Sequence, residues 1–221
     1  MCNLPQNIVI KGLIFDMDGV LVDTSPCHSA AYEKMWSSLG IDGPEYSVIA
    51  GRSTKEVISE FASHLDEEQL HKAIAFKQAI ALEIMKTAEI SYADTMNALE
   101  FLHAKGLPMI VATSASKASA ELALRNAGIE HFFSTVITSA DVEHAKPAPD
   151  LFLAGIEALA LPATEVLIFE DSQSGITAAL ASKANVVAVR SVAELHKNTI
   201  KASKFLGSFD DVKTAIAEVR I

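Results

Sequence analysis

The stretch Leu13-Ile14-Phe15-Asp16-Met17-Asp18-Gly19-Val20-Leu21-Val22-Asp23-Thr24 decides the fold. An apolar run suited to burial stops at two carboxylates spaced one residue apart, as a strand does when the loop after it carries chemistry. Side chains alternate along a strand, so Asp16 and Asp18 can share one face. The turn at Gly19 can then direct their oxygens to a common cation or phosphate. Aspartate and glycine are also ordinary turn formers, so the pair taken alone leaves a solvated strand end open.

Outward from this stretch, residues 8–15 read as a buried strand, and the period becomes helical over 25–39, where His28, Ala31, Tyr32, Met35 and Leu39 share a face before Gly40 stops it. Gly43-Pro44 marks a turn. Ser53-Thr54-Lys55-Glu56 has the form of a capping box opening a short helix to Phe61. Leu70, Ile74, Lys77, Ala81 and Ile84 form the stripe of one long helix over 66–86, with a lysine inside its apolar seam. Between 22 and 88 only helices are expected.

After Tyr92 helices and strands alternate. Helices are expected over 94–105, 116–126, 149–160, 174–182 and 210–219, and strands over 108–113, 133–138, 166–169 and 186–189, with a last edge strand at Phe205-Leu206. Strands separated by helices of this length pair in parallel through right-handed crossovers, which predicts an α/β fold with a doubly wound parallel sheet. The helix-only block leaves after the first strand and returns before the second. It is therefore expected to form an inserted α-helical cap over 22–91, above a Rossmann-like core of 1–21 and 92–221 and facing the carboxyl ends of the strands, where such sheets bind ligands.

Composition narrows the function. The chain has 221 residues, 50% of them hydrophobic and 21% charged, enough for a sizeable core. With 18 Lys+Arg against 28 Asp+Glu the formal charge is -10, which disfavours broad nucleic-acid binding. Cys2 and Cys27 have neither metal-type nor redox-type spacing, so reduced cytoplasmic thiols are the simplest reading. No basic-then-apolar leader and no apolar run of about 20 residues is present, so neither export nor a membrane span is expected. Nothing demands more than a monomer.

Four strand ends carry polar residues of a consistent kind: Asp16 and Asp18, Thr113-Ser114, Lys146 in Lys-Pro-Ala-Pro-Asp, and Glu170-Asp171-Ser172. Singly, Ser114 or Glu170-Asp171 can cap a helix and Lys146 can be a solvated loop cation. Together they supply carboxylates for a divalent cation, a hydroxyl donor and an ammonium, a set suited to phosphoryl transfer. In this order the four motifs resemble those of the haloacid dehalogenase superfamily, in the branch with a helical cap that includes β-phosphoglucomutase and many sugar-phosphate phosphatases.

The resemblance implies that Asp16 is a nucleophile forming an aspartyl phosphate and that Asp18 is the acid/base. It further implies that Mg2+ is held by Asp16, the backbone carbonyl of Asp18 and Asp171, with Glu170 nearby, and that Ser114 and Lys146 grip the phosphoryl group. In the cap, His28 matches a histidine that positions the acid/base in the mutase, and Gly51 matches the glycine of its substrate loop. The mutase's arginine three residues on is Thr54 here, and Arg52 follows Gly51 directly. Ser116 and Lys117 match its second phosphate grip, but Ala118 replaces an asparagine that completes it. Arg52 and Lys77 are expected to meet the distal end of the substrate.

Two further departures are Ala93-Asp94 where the family has Pro-Gly, and Lys183-Ala184-Asn185, where Asn185 is expected to take a left-handed turn usually given to glycine. The resulting expectation is a Mg2+-dependent phosphatase acting on a small phosphorylated metabolite, a sugar phosphate. A hexose-phosphate mutase is the alternative, and a receiver-like phospho-acceptor domain is a third reading that the cap and Asp18 oppose.

Overall fold

The computed structural model describes residues 9–190 and the backbone of 204–206. Six described strands form one sheet: β1 (Gly12–Phe15), β2 (Met109–Ala112), β3 (Thr135–Ile137), β4 (Val166–Glu170), β5 (Asn185–Val189) and β6 (Lys204–Leu206). Their spatial order is β3-β2-β1-β4-β5-β6, and every neighbouring pair is parallel. Because β1 is central and the order reverses on either side of it, the loop after β1 lies at the topological switch point, where open α/β sheets bind ligands.

Strand alternation divides the core between the two faces of the sheet. Leu13, Phe15, Met109, Val111, Leu167, Phe169, Val187 and Val189 pack on one face, and Ile14, Ile110, Ala112, Val166, Ile168, Val186 and Ala188 on the other. Both faces are covered, which is why these strands read as unbroken apolar runs.

Five described helices lie between β1 and β2, and the first four of them are α1 (Ser25–Leu39), α2 (Tyr46–Ile49), α3 (Thr54–Phe61) and α4 (Glu67–Met85). Their inward faces make a separate apolar cluster that includes Tyr32, Met35, Trp36, Ile49, Val57, Ile58 and Ala73. Gly40, at φ 65, closes α1 in the left-handed conformation a helix end favours. Ser53 caps α3 by accepting from the Glu56 N–H at 3.3 Å. The reciprocal box sits one helix later, where Asp66 accepts from the Gln69 N–H and Gln69 accepts from the Asp66 N–H. The short helix α2 is absent from the sequence reading, since four residues show no period.

The chain then continues through α5 (Thr95–Ala104), α6 (Lys117–Asn126), α7 (Asp150–Leu159) and α8 (Gln173–Ala181), with single 3-10 turns at Glu130–Phe132 and Ala163–Glu165. Asn185 does not supply the left-handed turn expected of it. Lys183 does, at φ 65, while Asn185 begins β5 and its amide donates to the carbonyls of Thr164 and Val166 at 2.9 and 3.1 Å. The expected helix over 210–219 lies outside the described residues, and no described helix is long and apolar enough to cross a membrane.

Candidate active site

Asp16 follows β1 directly, and its N–H extends the ladder to the Phe169 carbonyl at 2.9 Å. The residue is only 6% exposed. The next turn is tight, with the N–H groups of Leu21 and Val22 both donating to Met17 O. Gly19 sits in it at φ 82, and a Cβ there would overlap the Asp171 carboxylate. Glycine is required on both counts.

Lys146 reaches the same point from the loop after β3. Its ammonium is 2% exposed and donates to Asp16 Oδ1 at 2.5 Å and to Glu170 Oε1 at 2.8 Å. Burial lowers the affinity of such a cation for its proton, but the two carboxylates outweigh that and hold the lysine above its ordinary value. Removing it would leave buried carboxylates without compensation, at a cost of about 3–5 kcal/mol.

Glu170, the last residue of β4, is fully buried. Its other oxygen, Oε2, accepts from the Ser172 N–H at 2.6 Å and the Ser172 hydroxyl at 3.1 Å. A Cβ on Gly175 would overlap this carboxylate, which explains the glycine in the Glu-Asp-Ser-x-x-Gly motif.

Asp16, Glu170 and Asp171 each offer a carboxylate oxygen within 4.8 Å of the others. Burial raises the Asp16 and Asp171 carboxyls, and the neighbouring carboxylates raise them further. One ammonium does not balance three such anions, so a hard, oxygen-seeking cation such as Mg2+ fits the donor set. Glu170 already spends both oxygens on Lys146 and Ser172.

Asp18 has a different setting. It accepts a short hydrogen bond from the Thr24 hydroxyl, and its Oδ1 lies 3.7 Å from His28 Nε2. Burial raises its carboxyl, but the bonds and charge from His28 and the Thr24 bond prevail and lower it. His28 Nδ1 is 2.9 Å from Lys77 Nζ. An ammonium can only donate, so Nδ1 accepts and the His28 proton belongs on Nε2, facing Asp18.

Lys77 does not snorkel out of its seam. It is 4% exposed, sits 4.5 Å from the centre of the Tyr32 ring, and burial lowers its pKa to about 8.

These groups line one cleft of about 330 Å³ between the sheet's carboxyl edge and the helical insertion. Asp16, Asp18, His28, Gly51, Arg52, Lys77, Ser114, Ser116, Lys146, Glu170 and Asp171 all face it. The Ser114 hydroxyl is buried there without a partner among the described residues. Lys117 is the exception: it is exposed on the first turn of α6, outside the lining, and its charge is felt by Asp141.

Arg52 reaches the cleft with its guanidinium engaged, because Nη2 donates to Glu60 Oε2 at 2.5 Å. Ser116 has a structural duty as the cap of α6, accepting from the Ser119 N–H at 3.4 Å. The Gly51 carbonyl accepts from the Ser174 hydroxyl at 3.2 Å, so the 50–52 loop touches the core.

The sequence reading missed Tyr46, Gln78, Ser139 and Glu143, which also line the cleft. Only Gln78, beside Lys77, stood next to a recognisable signal.

Comparison with known proteins places the chain among phosphatases and proteins of the same fold. The chain is 32% identical over 181 residues to the fructose-1-phosphate phosphatase YqaB of Escherichia coli (strain K12), covering 81% of this chain and 96% of that one. It is 28% identical to hexitol phosphatase A of the same organism, covering 83% and 85%. Among solved structures it is similar in fold to a β-phosphoglucomutase from Clostridium difficile (TM-score 0.84, 20% identity, 95% and 98% covered). It is similar also to CbbY from Rhodobacter sphaeroides (TM-score 0.82, 23% identity, 92% and 96% covered). With the profile for haloacid dehalogenase-like hydrolases matching residues 13–189, the chain belongs to that family.

Proposed function

We propose that the protein is a Mg2+-dependent phosphatase of a small phosphorylated carbohydrate, working through a phosphorylated Asp16. The observation that carries this reading is the Asp16 carboxylate on the cleft floor, held at 2.5 Å by an ammonium that Glu170 holds in turn. Such a carboxylate is oriented for attack, and the ammonium offsets part of its charge. The relatives' substrates, fructose 1-phosphate and hexitol phosphates by their names, support a carbohydrate. The 22–91 unit is taken as the cap.

In this reading Asp16 attacks phosphorus and forms a P–O bond as the bond to the sugar oxygen breaks. Asp18 gives that oxygen a proton, then takes one from the water that hydrolyses the aspartyl phosphate. An arriving phosphate is a like charge beside Asp18 and favours its protonated form. Thr24 and His28 aim the carboxyl, and Lys77 fixes the His28 tautomer. Ser114, whose buried hydroxyl lacks a partner among the described residues, donates to a phosphoryl oxygen beside Lys146. Asp16, Asp171 and the Asp18 carbonyl would hold Mg2+, which when bound neutralises phosphoryl oxygens. Glu170 serves Lys146.

A panel of sugar and polyol monophosphates, assayed for free phosphate with Mg2+, tests the reading. Multiple turnovers on at least one carbohydrate phosphate are expected. A single stoichiometric phosphorylation without turnover would indicate a phospho-acceptor, and conversion of β-glucose 1-phosphate to glucose 6-phosphate with little free phosphate would indicate a mutase.

A further inference from the structure

The chain crosses between the sheet and the helical insertion twice, after Asp18 and before α5, and both crossings meet one side chain. Arg190 follows β5 in the left-handed conformation, φ 60. Its Nε donates to the Val20 carbonyl at 3.1 Å, on the first crossing. Its Nη2 donates to Asp94 Oδ1 at 2.8 Å and to the Thr95 hydroxyl at 3.2 Å, on the second, and Nη1 lies 3.4 Å from Asp94 Oδ2. The guanidinium also stacks 3.6 Å from the centre of the Tyr92 ring. The pair is largely shielded, with 14% and 12% of the Arg190 and Asp94 side chains exposed.

Between the crossings the two strands of chain join directly, by the Asp23 N–H donating to the Ile90 carbonyl at 2.8 Å and by a bridge between Val22 and Ser91. Asp94 is part of the Ala93-Asp94 departure from the family's Pro-Gly. A glycine there offers no carboxylate, so this departure supplies the partner of Arg190.

We propose that Arg190 and Asp94 are a positioning pair that references both crossings to the sheet and thereby holds Asp18, with its Thr24 and His28 partners, over Asp16. The anchor is the end of a buried strand, whereas the points it grips lead into the insertion. Val20 is two residues beyond Asp18, in the loop whose N–H groups fold back on Met17. Thr24 and His28 follow on the far side of the same crossing. A planar guanidinium can satisfy a carboxylate, a hydroxyl and a carbonyl at once and still stack on a ring, whereas an ammonium cannot reproduce that fork. Release of the fork lets the two crossings shift relative to one another, the place where a hinge absorbs its change in backbone angle.

The kinetic part of this proposal rests on the phosphatase reading, so the test has a part that does not. Hydrogen exchange of the Val22, Asp23 and Ser91 amides is followed in the full chain for wild type, R190K, R190A and D94N, with circular dichroism confirming that each variant is folded. Single-turnover phosphorylation is then compared for a sugar monophosphate and p-nitrophenyl phosphate.

Faster exchange is expected at these amides in R190A and D94N. Phosphorylation by the sugar phosphate should fall about tenfold and by the aryl phosphate less than about twofold, since nitrophenolate leaves without the acid that Asp18 provides. R190K should behave like R190A, because retained charge does not restore the fork. If R190A does not fold, D94N alone carries the comparison. Unchanged exchange in D94N, equal losses on both substrates, or full rescue by R190K would overturn the pair. If wild type transfers no phosphoryl group from either ester, the phosphatase reading fails and the exchange result still judges the clamp.

Discussion

The floor and the roof of the cleft are built differently. On the floor, residues that follow β1, β3 and β4 meet within hydrogen-bond distance, the ammonium of Lys146 is shared by two carboxylates, and Ser114 after β2 lines the same cleft. On the roof, the cations stand on the helical insertion and already have partners: Arg52, in the loop before α3, is held by Glu60 on α3, and Lys77 on α4 by His28 on α1. A sheet fixes its strand ends relative to one another, so the floor has one geometry suited to one chemistry. Helix faces present single side chains whose partners are chosen by packing, so the roof can vary in what it recognises. In the proposed phosphatase, this difference places chemistry and specificity on separate scaffolds.

The largest effect should come from the floor. Asp16→Asn keeps the shape but is a poor nucleophile, and turnover should fall by more than about a thousandfold, a barrier increase above ~4 kcal/mol. Steady-state assays with more than a thousandth of wild-type activity would remove Asp16 from the nucleophile role. Next, EDTA should silence the enzyme and Mg2+ restore it, because the carboxylate cluster repels a phosphate unless a cation offsets it. Full turnover in metal-free buffer would contradict the metal assignment.

Asp18 joins floor and roof, and its effect should depend on the leaving group. Asp18→Asn should slow phosphorylation by a sugar phosphate about a hundredfold or more, yet cost much less with an aryl phosphate, which needs no proton on departure. Equal losses in single-turnover experiments would make Asp18 structural.

Roof residues should show smaller effects, first on stability. Burial lowers Lys77 to about 8 from 10.5. Between those values the unfolded chain binds more protons, so the Lys77 contribution to stability rises with pH, and its cost is fully present below pH 8. Lys77→Met should therefore stabilise the protein at pH 7 by about 2 kcal/mol, after allowance for the lost His28 bond. The gain should shrink by pH 10. Urea melts showing the same gain at both values would refute a buried, charged lysine.

The smallest effect concerns Arg52. Because Glu60 holds its guanidinium, Arg52→Ala should raise KM for a sugar phosphate only about two- to fivefold with kcat nearly unchanged, the signature of uniform binding. Glu60→Gln should lower KM for a substrate with an anionic distal end. An opposite sign in the second variant would show that Glu60 assists Arg52 and does not compete for it.

Much of this architecture was determined by the sequence alone. Apolar runs alternating with helical periods required a parallel sheet, and the helix-only block after the first strand required an insertion, because both follow from local periodicity and chain order. The floor was legible for the same reason: Asp16, Ser114 and Asp171 each come just after an apolar run, Lys146 stands in the loop after the third strand, and a parallel sheet brings such ends to one edge.

Tertiary structure alone decided the pairings. Lys77 and His28 are 49 residues apart, and Arg190 and Asp94 are 96 apart. No periodicity encodes which helix face meets which. The sequence made Lys77 a residue of an apolar seam, but only packing set its ammonium against His28 and lowered its proton affinity. Likewise, Ala93-Asp94 read only as a departure from the family's Pro-Gly, and only the return of β5 beside it supplied Arg190. Spacing along a chain constrains groups on one element or at one sheet edge, whereas burial and the choice of ionic partner depend on which surfaces desolvate each other.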